Sequence, residues 1–486
     1  MKIIDIKIFF IVFGFGVTMW AFASPLAEPK AFEEDPSVRS RIANSVNLWS
    51  KPDYDKQESA LGYKVGVFSV PPGLETRVSF WIDIYSKYNS HQGVIHDSQY
   101  PDIVYESIDF SDIEKSSLNS YQKRKKRKER IKEVKLKVKE RLLKLARLSS
   151  PLGLEDEDLR LWYLFANKDE ENKFRQATRG SRIRFQLGQR DIIQNGIVSS
   201  GRYVEQMEAI FREEQLPLEL TRLPFVESSF NLKARSKVGA SGIWQFMRST
   251  AKRYLRLNRA VDERNDPLTA TIAAARLFKY NYSVLRDWPL AVTAYNHGAA
   301  GVRRQLERHQ IQSLEDLVNI RQGRFGFASA NFYACFLAIL EVEKNADHYF
   351  GPIVRLPKEQ SVKLVLGKSV NAAHLISWFG GDRKSAMYYN PHIKSSFWKG
   401  WEFLRSKDYI RVPTDQHETV LAHLNELKNL KLEKARGVYR IRKGETLSGI
   451  ARRLGVRVPA LMSANGIEQA HKIQIGQQLI IPHVSE

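Results

Sequence analysis

The sequence predicts a mainly α-helical protein of several domains that closes in a small βααβ module. Three observations lead there. At 486 residues the chain exceeds one typical domain and has ample material for buried cores. Between about 150 and 350, apolar residues recur at helical spacing with short breaks, among them Leu216-Pro217 and Asp266-Pro267. Between 438 and 482 a strand-like run, two short amphipathic stretches and a second strand-like run follow in order.

At the N-terminus, Lys2 and Lys7 flank the start of an apolar run from Ile8 to Phe22. Ala21-Phe22-Ala23 then reads as a small-x-small cleavage site, so residues 1–23 are expected to be a cleaved export signal. The run falls short of the roughly 20 residues of a membrane span, although Asp5 is foreign to a signal and leaves an uncleaved anchor open. The single cysteine, Cys335, sits among apolar residues and is expected to be a buried thiol. No cysteine lies near the signal's end, so a lipid anchor there is not supported. An exported chain of this kind relies on its cores rather than on disulfides.

Residues 24–120 carry weak periodicity. In them the turn Val70-Pro71-Pro72-Gly73 precedes Val78–Tyr85, which fits either a strand or a helix. Residues 121–199 are expected to hold a basic helix and a helical extension. The run Lys123–Lys128 leads into Ile131, Val134, Val138, Leu142 and Leu145, an apolar stripe on an otherwise basic helix over 121–148. The formal charge of +22 invites an anionic partner. No zinc-finger, RRM or basic-zipper pattern occurs, which argues against nucleic acid. The helix reads either as a solvated element packing one stripe on its neighbour or as a contact for an anionic membrane or wall surface.

A helical domain is expected over 200–350, opening with Val204–Phe211, where Met207, Ile210 and Phe211 share a face. Gly351-Pro352 ends that pattern. Over 351–413, strand-like Val362–Leu366, helical Ala372–Ile376, Tyr389-Asn390-Pro391 and strand-like Tyr409–Val412 repeat the order of the C-terminal unit without its glycine turn. Residues 414–436 read as a linking helix with Leu421, Leu424, Leu427 and Leu430 on it. The unit at 437–483 has strand-like Val438–Ile441, the turn Lys443–Thr446, helices at Leu447–Leu454 and Pro459–Asn465, and a strand at Gln478–Pro482.

The chemistry centres on Glu227, in Pro224-Phe225-Val226-Glu227-Ser228-Ser229-Phe230-Asn231. A carboxylic acid donates a proton near neutral pH only when an apolar setting raises its pKa. Leu223–Val226 and Phe230 offer that setting. Two later segments bring amide and phenol groups: Gly239-Ala240-Ser241-Gly242-Ile243-Trp244-Gln245-Phe246 and Ala294-Tyr295-Asn296-His297-Gly298. Trp244 and Phe246 read as core, and His297 as solvent-facing. No metal-ligand spacing or cofactor motif is present, so no cofactor is expected.

These three segments, in this order and with Asp262–Pro267 between them, resemble the motifs of the soluble-lytic-transglycosylase-type catalytic domain of bacteria. Residues 437–483 resemble a LysM module through Tyr439, Gly444-Glu445-Thr446-Leu447, Ile450-Ala451, Asn465 and Ile481-Pro482. The combination is similar to the membrane-bound lytic murein transglycosylase D group, and Gln189–Tyr203 resembles that group's junction ahead of the catalytic domain. The resemblance implies a goose-lysozyme-like helical fold acting on peptidoglycan glycan strands in the periplasm or cell envelope. It implies Glu227 as the catalytic acid, with Ser228, Gln245, Tyr295, Asn296 and Tyr333 as substrate-binding residues. It implies glycan binding by Gly444, Glu445, Thr446, Leu447 and Asn465. Two departures stand out: Arg248 replaces a usual proline, and Phe327–Ala334 replaces a segment of the form Glu-Thr-Arg-x-x-Tyr-Val, keeping its tyrosine but not its polar flank.

Under the resemblance, Glu227 protonates the oxygen between N-acetylmuramic acid and N-acetylglucosamine, then takes the proton of the muramic C6 hydroxyl as a 1,6-anhydro ring closes. A hydrolytic alternative requires a second carboxylate, for which Asp262 or Asp266 are the candidates. A third reading is a wall-binding scaffold with a decayed catalytic domain, which the intact Glu227 opposes.

Overall fold

The computed structural model describes residues 67–320, 325–429 and 437–482. The expected signal at 1–23 lies outside the described residues, as do 24–66 and the end of the expected linker helix. The chain is mainly helical with small antiparallel sheets. It divides into two compact units. Of the described residues, one takes those up to Asn195 plus those of Phe278–Ile353; the other takes Gly196–Leu277 plus those from Val354 onward.

In the first unit, β1 (Gln92–Asp97), β2 (Val104–Asp109) and β3 (Ile183–Leu187) form a sheet of order β2–β1–β3. Ile95 of the central strand faces Glu106 on one side and Phe185 on the other. The sheet adds a strand, β3, to the region 121–199, where a basic helix and a helical extension are expected. Ile183-Arg184-Phe185-Gln186-Leu187 alternates apolar and polar residues, but five residues are too few to stand out beside strong helical patterns. The basic stretch is one helix, Ser120–Leu145, opened by a capping box in which Asn119 and Gln122 satisfy each other's backbone amides. Its Val134, Val138, Leu142 and Leu145 are buried in a core with Ile95, Tyr105, Phe110 and Phe165. The basic residues lie outside that stripe, some neutralised locally: Arg130 pairs with Asp112 at 2.6 Å and Arg127 with Glu114 at 2.9 Å.

The ambiguous Val78–Tyr85 is helical, within Glu75–Ser86, which packs on the apolar helix Phe327–Lys344. Phe327–Lys344 is buried on nearly every side, Cys335 included, as expected of a helix apolar all round. Its one interior amide is satisfied: Asn331 Oδ1 accepts from Trp81 Nε1 at 3.2 Å, and its Nδ2 donates to the Phe327 carbonyl. Among the described residues, no helix is long and apolar enough to cross a membrane.

The second unit begins with the helix Val204–Glu213, whose Met207 and Phe211 are buried. It also holds the short helix Leu223–Ser228 and the glycine loop. Two βααβ arrangements follow. β4 (Ser361–Val365) pairs with β5 (Tyr409–Pro413) around the helices Ala372–Trp378 and Arg383–Tyr389. β6 (Gly437–Arg440) pairs with β7 (Gln478–Ile481) around Leu447–Leu454 and Val458–Asn465. The helix His417–Asn429 packs Val420 and Leu424 into the core of the first arrangement. That same core holds Ala260 and Val261 from the chain just ahead of Asp262.

Candidate active site

Glu227 is the penultimate residue of the helix Leu223–Ser228, which has Pro224 in its first turn and which left-handed Ser229 stops. Phe230 is left-handed too, so two consecutive residues other than glycine sit in that region, at φ 50° and 56°. Such backbone costs on the order of 1–2 kcal/mol per residue. Packing holds it: Phe230 is buried with its ring 4.5 Å from that of Phe225, and its amide donates to the Pro224 carbonyl. Gly196 lets a neighbouring helix approach, since a Cβ there would lie 2.7 Å from the Ser229 carbonyl oxygen. The turn therefore aims the Glu227 side chain from a rigid frame. Glu227 is half-buried, and burial alone pushes its carboxyl up to about 8.

The glycine loop is held against that turn. Ser228 Oγ donates to the Ile243 carbonyl at 2.8 Å. Gln245, at φ 46°, donates its side-chain amide to the carbonyls of Gly242 and Ala234. Gly242 has φ +78°, and a Cβ there would overlap the Arg264 carbonyl oxygen. The Arg264 guanidinium clamps the loop by donating to the Gly239 and Phe246 carbonyls. Trp244 and Phe246 lie in the core, Trp244 stacked on Phe211 and donating to Thr271 Oγ1.

Two of the residues expected to touch substrate therefore have other work. Ser228 is fully buried and fastens the turn to the loop. The Gln245 NH₂ group is spent on the backbone. Sequence spacing could not reveal this, because the acceptors belong to the fold rather than to the motif.

The two alternative acids are committed elsewhere. Asp262 forms a two-pronged pair with Arg264, at 2.9 and 2.7 Å. Burial opposes its charge, yet the Arg264 hydrogen bonds and charge prevail and its carboxyl stays below the usual range. Asp266 is fully buried and accepts from Arg411 Nε at 2.6 Å, Arg411 Nη2 at 3.0 Å and the Tyr409 hydroxyl at 2.9 Å. Against the cost of its burial, Arg411 holds it well below the carboxylate range.

In the first unit, Asp287 caps the helix Trp288–His297, and Gly298 at φ +84° ends it. Tyr295 is half-buried and stacks on Phe278 at 5.2 Å. Asn296 is exposed, and its Oδ1 accepts from Ser329 Oγ at 3.0 Å. His297 Nδ1 lies 3.0 Å from the same hydroxyl. His297 is thus half-buried and bonded, not simply solvent-facing as expected. Ser329 is the residue that sequence reasoning passed over. It sits four positions before Tyr333, where the expected segment has its threonine. Tyr333 itself is buried and donates to the Ser69 carbonyl at 3.0 Å, which corrects its assignment as a substrate contact.

Residues 207–317 match the family model described as the Transglycosylase SLT domain, and residues 439–482 match the LysM domain. The chain carries a transglycosylase SLT domain. The chain is similar to "Membrane-bound lytic murein transglycosylase D" of Escherichia coli strain K12, with 27% identity over 286 residues, 56% of this chain and 61% of the relative. A protein of that name from Escherichia coli O6:H1 matches to the same extent. A "Putative tributyltin chloride resistance protein" of Alteromonas is 34% identical over 96 residues, 19% of this chain and 46% of that one. The chain thus spans about three-fifths of the length of the first relatives. Glu227, Ser228, Gln245, Tyr295 and Asn296 all fall within the SLT domain, whereas Tyr333 lies beyond the matched span.

In the LysM domain, Gly444 and Thr446 are exposed, and Thr446 caps Leu447–Leu454. Glu445 is drawn down to about 2 by the Arg442 amide, the Tyr439 hydroxyl and Arg453. Leu447 and Asn465 are buried. Asn465 grips both backbone groups of Ile480, and Leu447 fills the core, so these two build the module rather than reach a ligand.

Proposed function

We propose that the protein is a peptidoglycan lytic transglycosylase. It cleaves the β-1,4 bond between N-acetylmuramic acid and N-acetylglucosamine without water and leaves 1,6-anhydro-muramic ends. The observation that carries this reading is the contrast among acids. Glu227 sits raised on a rigid turn, while Asp262 and Asp266 are locked in ion pairs. With a pKa near 8, Glu227 is about nine-tenths protonated at pH 7. It gives that proton to the glycosidic oxygen as the C1–O bond breaks. The muramic C6 oxygen then bonds to C1, and its proton returns to Glu227. Acid and base are one residue, and no second carboxylate is required.

Asn296 and Tyr295 are accessible groups suited to acetamido and hydroxyl contacts. The LysM domain holds the enzyme on its polymer. Export to the periplasm places the enzyme beside that polymer, and the basic face of Ser120–Leu145 provides an added contact for an anionic membrane or wall surface. The test is product analysis on purified glycan strands. Anhydro-muramic ends are expected; reducing ends would convert the assignment to a muramidase, and no release at all would leave only a binding protein.

A further inference from the structure

The two βααβ arrangements share more than their order. In each, one asparagine at the end of the second helix makes the same three bonds. Asn465 donates to the carbonyl four residues back, Leu461, and to Ile480, whose amide returns a bond at 2.6 Å. Asn390 donates to Ala386, again four back, and to Arg411, whose amide returns a bond at 2.8 Å. Ile480 and Arg411 are each the third residue of their strand. The first helix is capped alike, by Thr446 in one and Asn371 in the other. The 361–413 unit thus has the architecture of the LysM domain that follows it.

The two units dock directly. Asn371 Nδ2 donates to the Asn465 carbonyl at 2.7 Å. The Gln478 amide donates to the Gly400 carbonyl at 2.6 Å. Gly466 abuts Ala373 and His374. At this seam Gly476 fits against the pyrrole edge of Trp401; a Cβ there would lie 3.1 Å from Nε1. Trp378 and Trp398 of the same unit are buried at 7% and 5%, but Trp401 remains 37% exposed. Beside it the turn Gln474–Gln477 presents Ile475, 62% exposed, and Lys399 Nζ lies 4.6 Å from the indole centroid. A part-exposed indole with the Lys399 ammonium over its ring and an aliphatic side chain nearby offers apolar surface and a hydrogen-bond donor to the apolar face and hydroxyl rim of a pyranose ring.

We infer that this seam is a saccharide-binding site, with Trp401 as stacking platform and Ile475 and Lys399 as its flanks. Its ligand is the N-acetylglucosamine-containing glycan that engages the adjoining LysM domain, so the inference rests on the glycan-binding reading above. The strand would run from Gly444 and Thr446 onto a surface that the preceding unit completes. Neither unit alone carries it.

The test is titration calorimetry of the full chain with a penta-N-acetylglucosamine oligomer, together with pelleting on insoluble peptidoglycan. Trp401→Ala is expected to weaken both by about tenfold, Trp401→Phe to stay within about threefold, and Ile475→Asp to weaken binding without disturbing the indole. Turnover of short soluble glycans should be unaffected by all three. Wild-type affinity in Trp401→Ala and Ile475→Asp would overturn the site while leaving the LysM reading intact. Absence of binding by the wild-type chain would overturn both. Should Trp401→Ala fail to fold, Ile475→Asp and Trp401→Phe decide the matter.

Discussion

The Ser228 hydroxyl donates to the Ile243 carbonyl across 2.8 Å, and this bond ties the turn bearing the acid to the loop beside it. The contact is buried, so truncating the serine leaves the Ile243 carbonyl without this donor. Ser228→Ala should therefore lower stability by about 1–2 kcal/mol, read as a urea midpoint shift. Turnover should drop about tenfold with little change in KM, because the loss is one of aim rather than of binding.

Glu227→Gln should abolish glycan release and leave pelleting on peptidoglycan unchanged. It should also stabilise the fold at pH 7. The native carboxyl has a pKa raised from 4.5 to about 8. Its favourable contribution is complete below 4.5, where both states are protonated, and is lost as pH rises toward 8 while the unfolded state ionises. The glutamine variant escapes that loss, by about 1–2 kcal/mol after allowance for partial solvent access. Thermal melts at pH 4 and pH 7 check this: the two proteins should differ only at the higher pH.

The same pKa sets the activity profile. Turnover should decline on the alkaline side with a midpoint near 8. A midpoint near 4.5 would mean that burial does not govern the acid.

Asp266→Asn leaves the Arg411 guanidinium buried without its counter-charge. A loss of about 3 kcal/mol is expected, measured by denaturant unfolding. Asp266→Asn/Arg411→Met should recover part of it, since removing both charges removes the orphan.

Ser329→Ala removes the donor that orients Asn296 Oδ1. KM for glycan strands should rise about threefold with turnover changed less than twofold. Ser329→Thr should restore it, and a variant series in which threonine fails to rescue would count against a hydroxyl role.

Legibility in the sequence followed locality. Glu227 could be read because its apolar setting, Leu223–Val226 and Phe230, is contiguous with it. The C-terminal βααβ unit was legible because its strands and helices each carry their own short pattern. The capture of Tyr333 by Ser69 joins residues 264 positions apart, and no periodicity encodes it. Ser329 escaped for a different reason: a small hydroxyl in an apolar helix looks like filler until Asn296 and His297 are seen on either side of it. β3 was hidden because a strand's signal is pairing, and its partner lies some 90 residues earlier.

The pair Asp266–Arg411 also sets where the chain can be cut. Asp266 belongs to the matched SLT span, but the guanidinium that pairs with it comes from β5, and Ala260 and Val261 share a core with that same unit. A fragment ending near 350, as motif boundaries invite, would strip both away and bare an apolar face around a lone carboxylate. The shortest autonomous piece that holds the candidate site is thus expected to extend through Pro413, and what looks like an appendage behaves as part of its core.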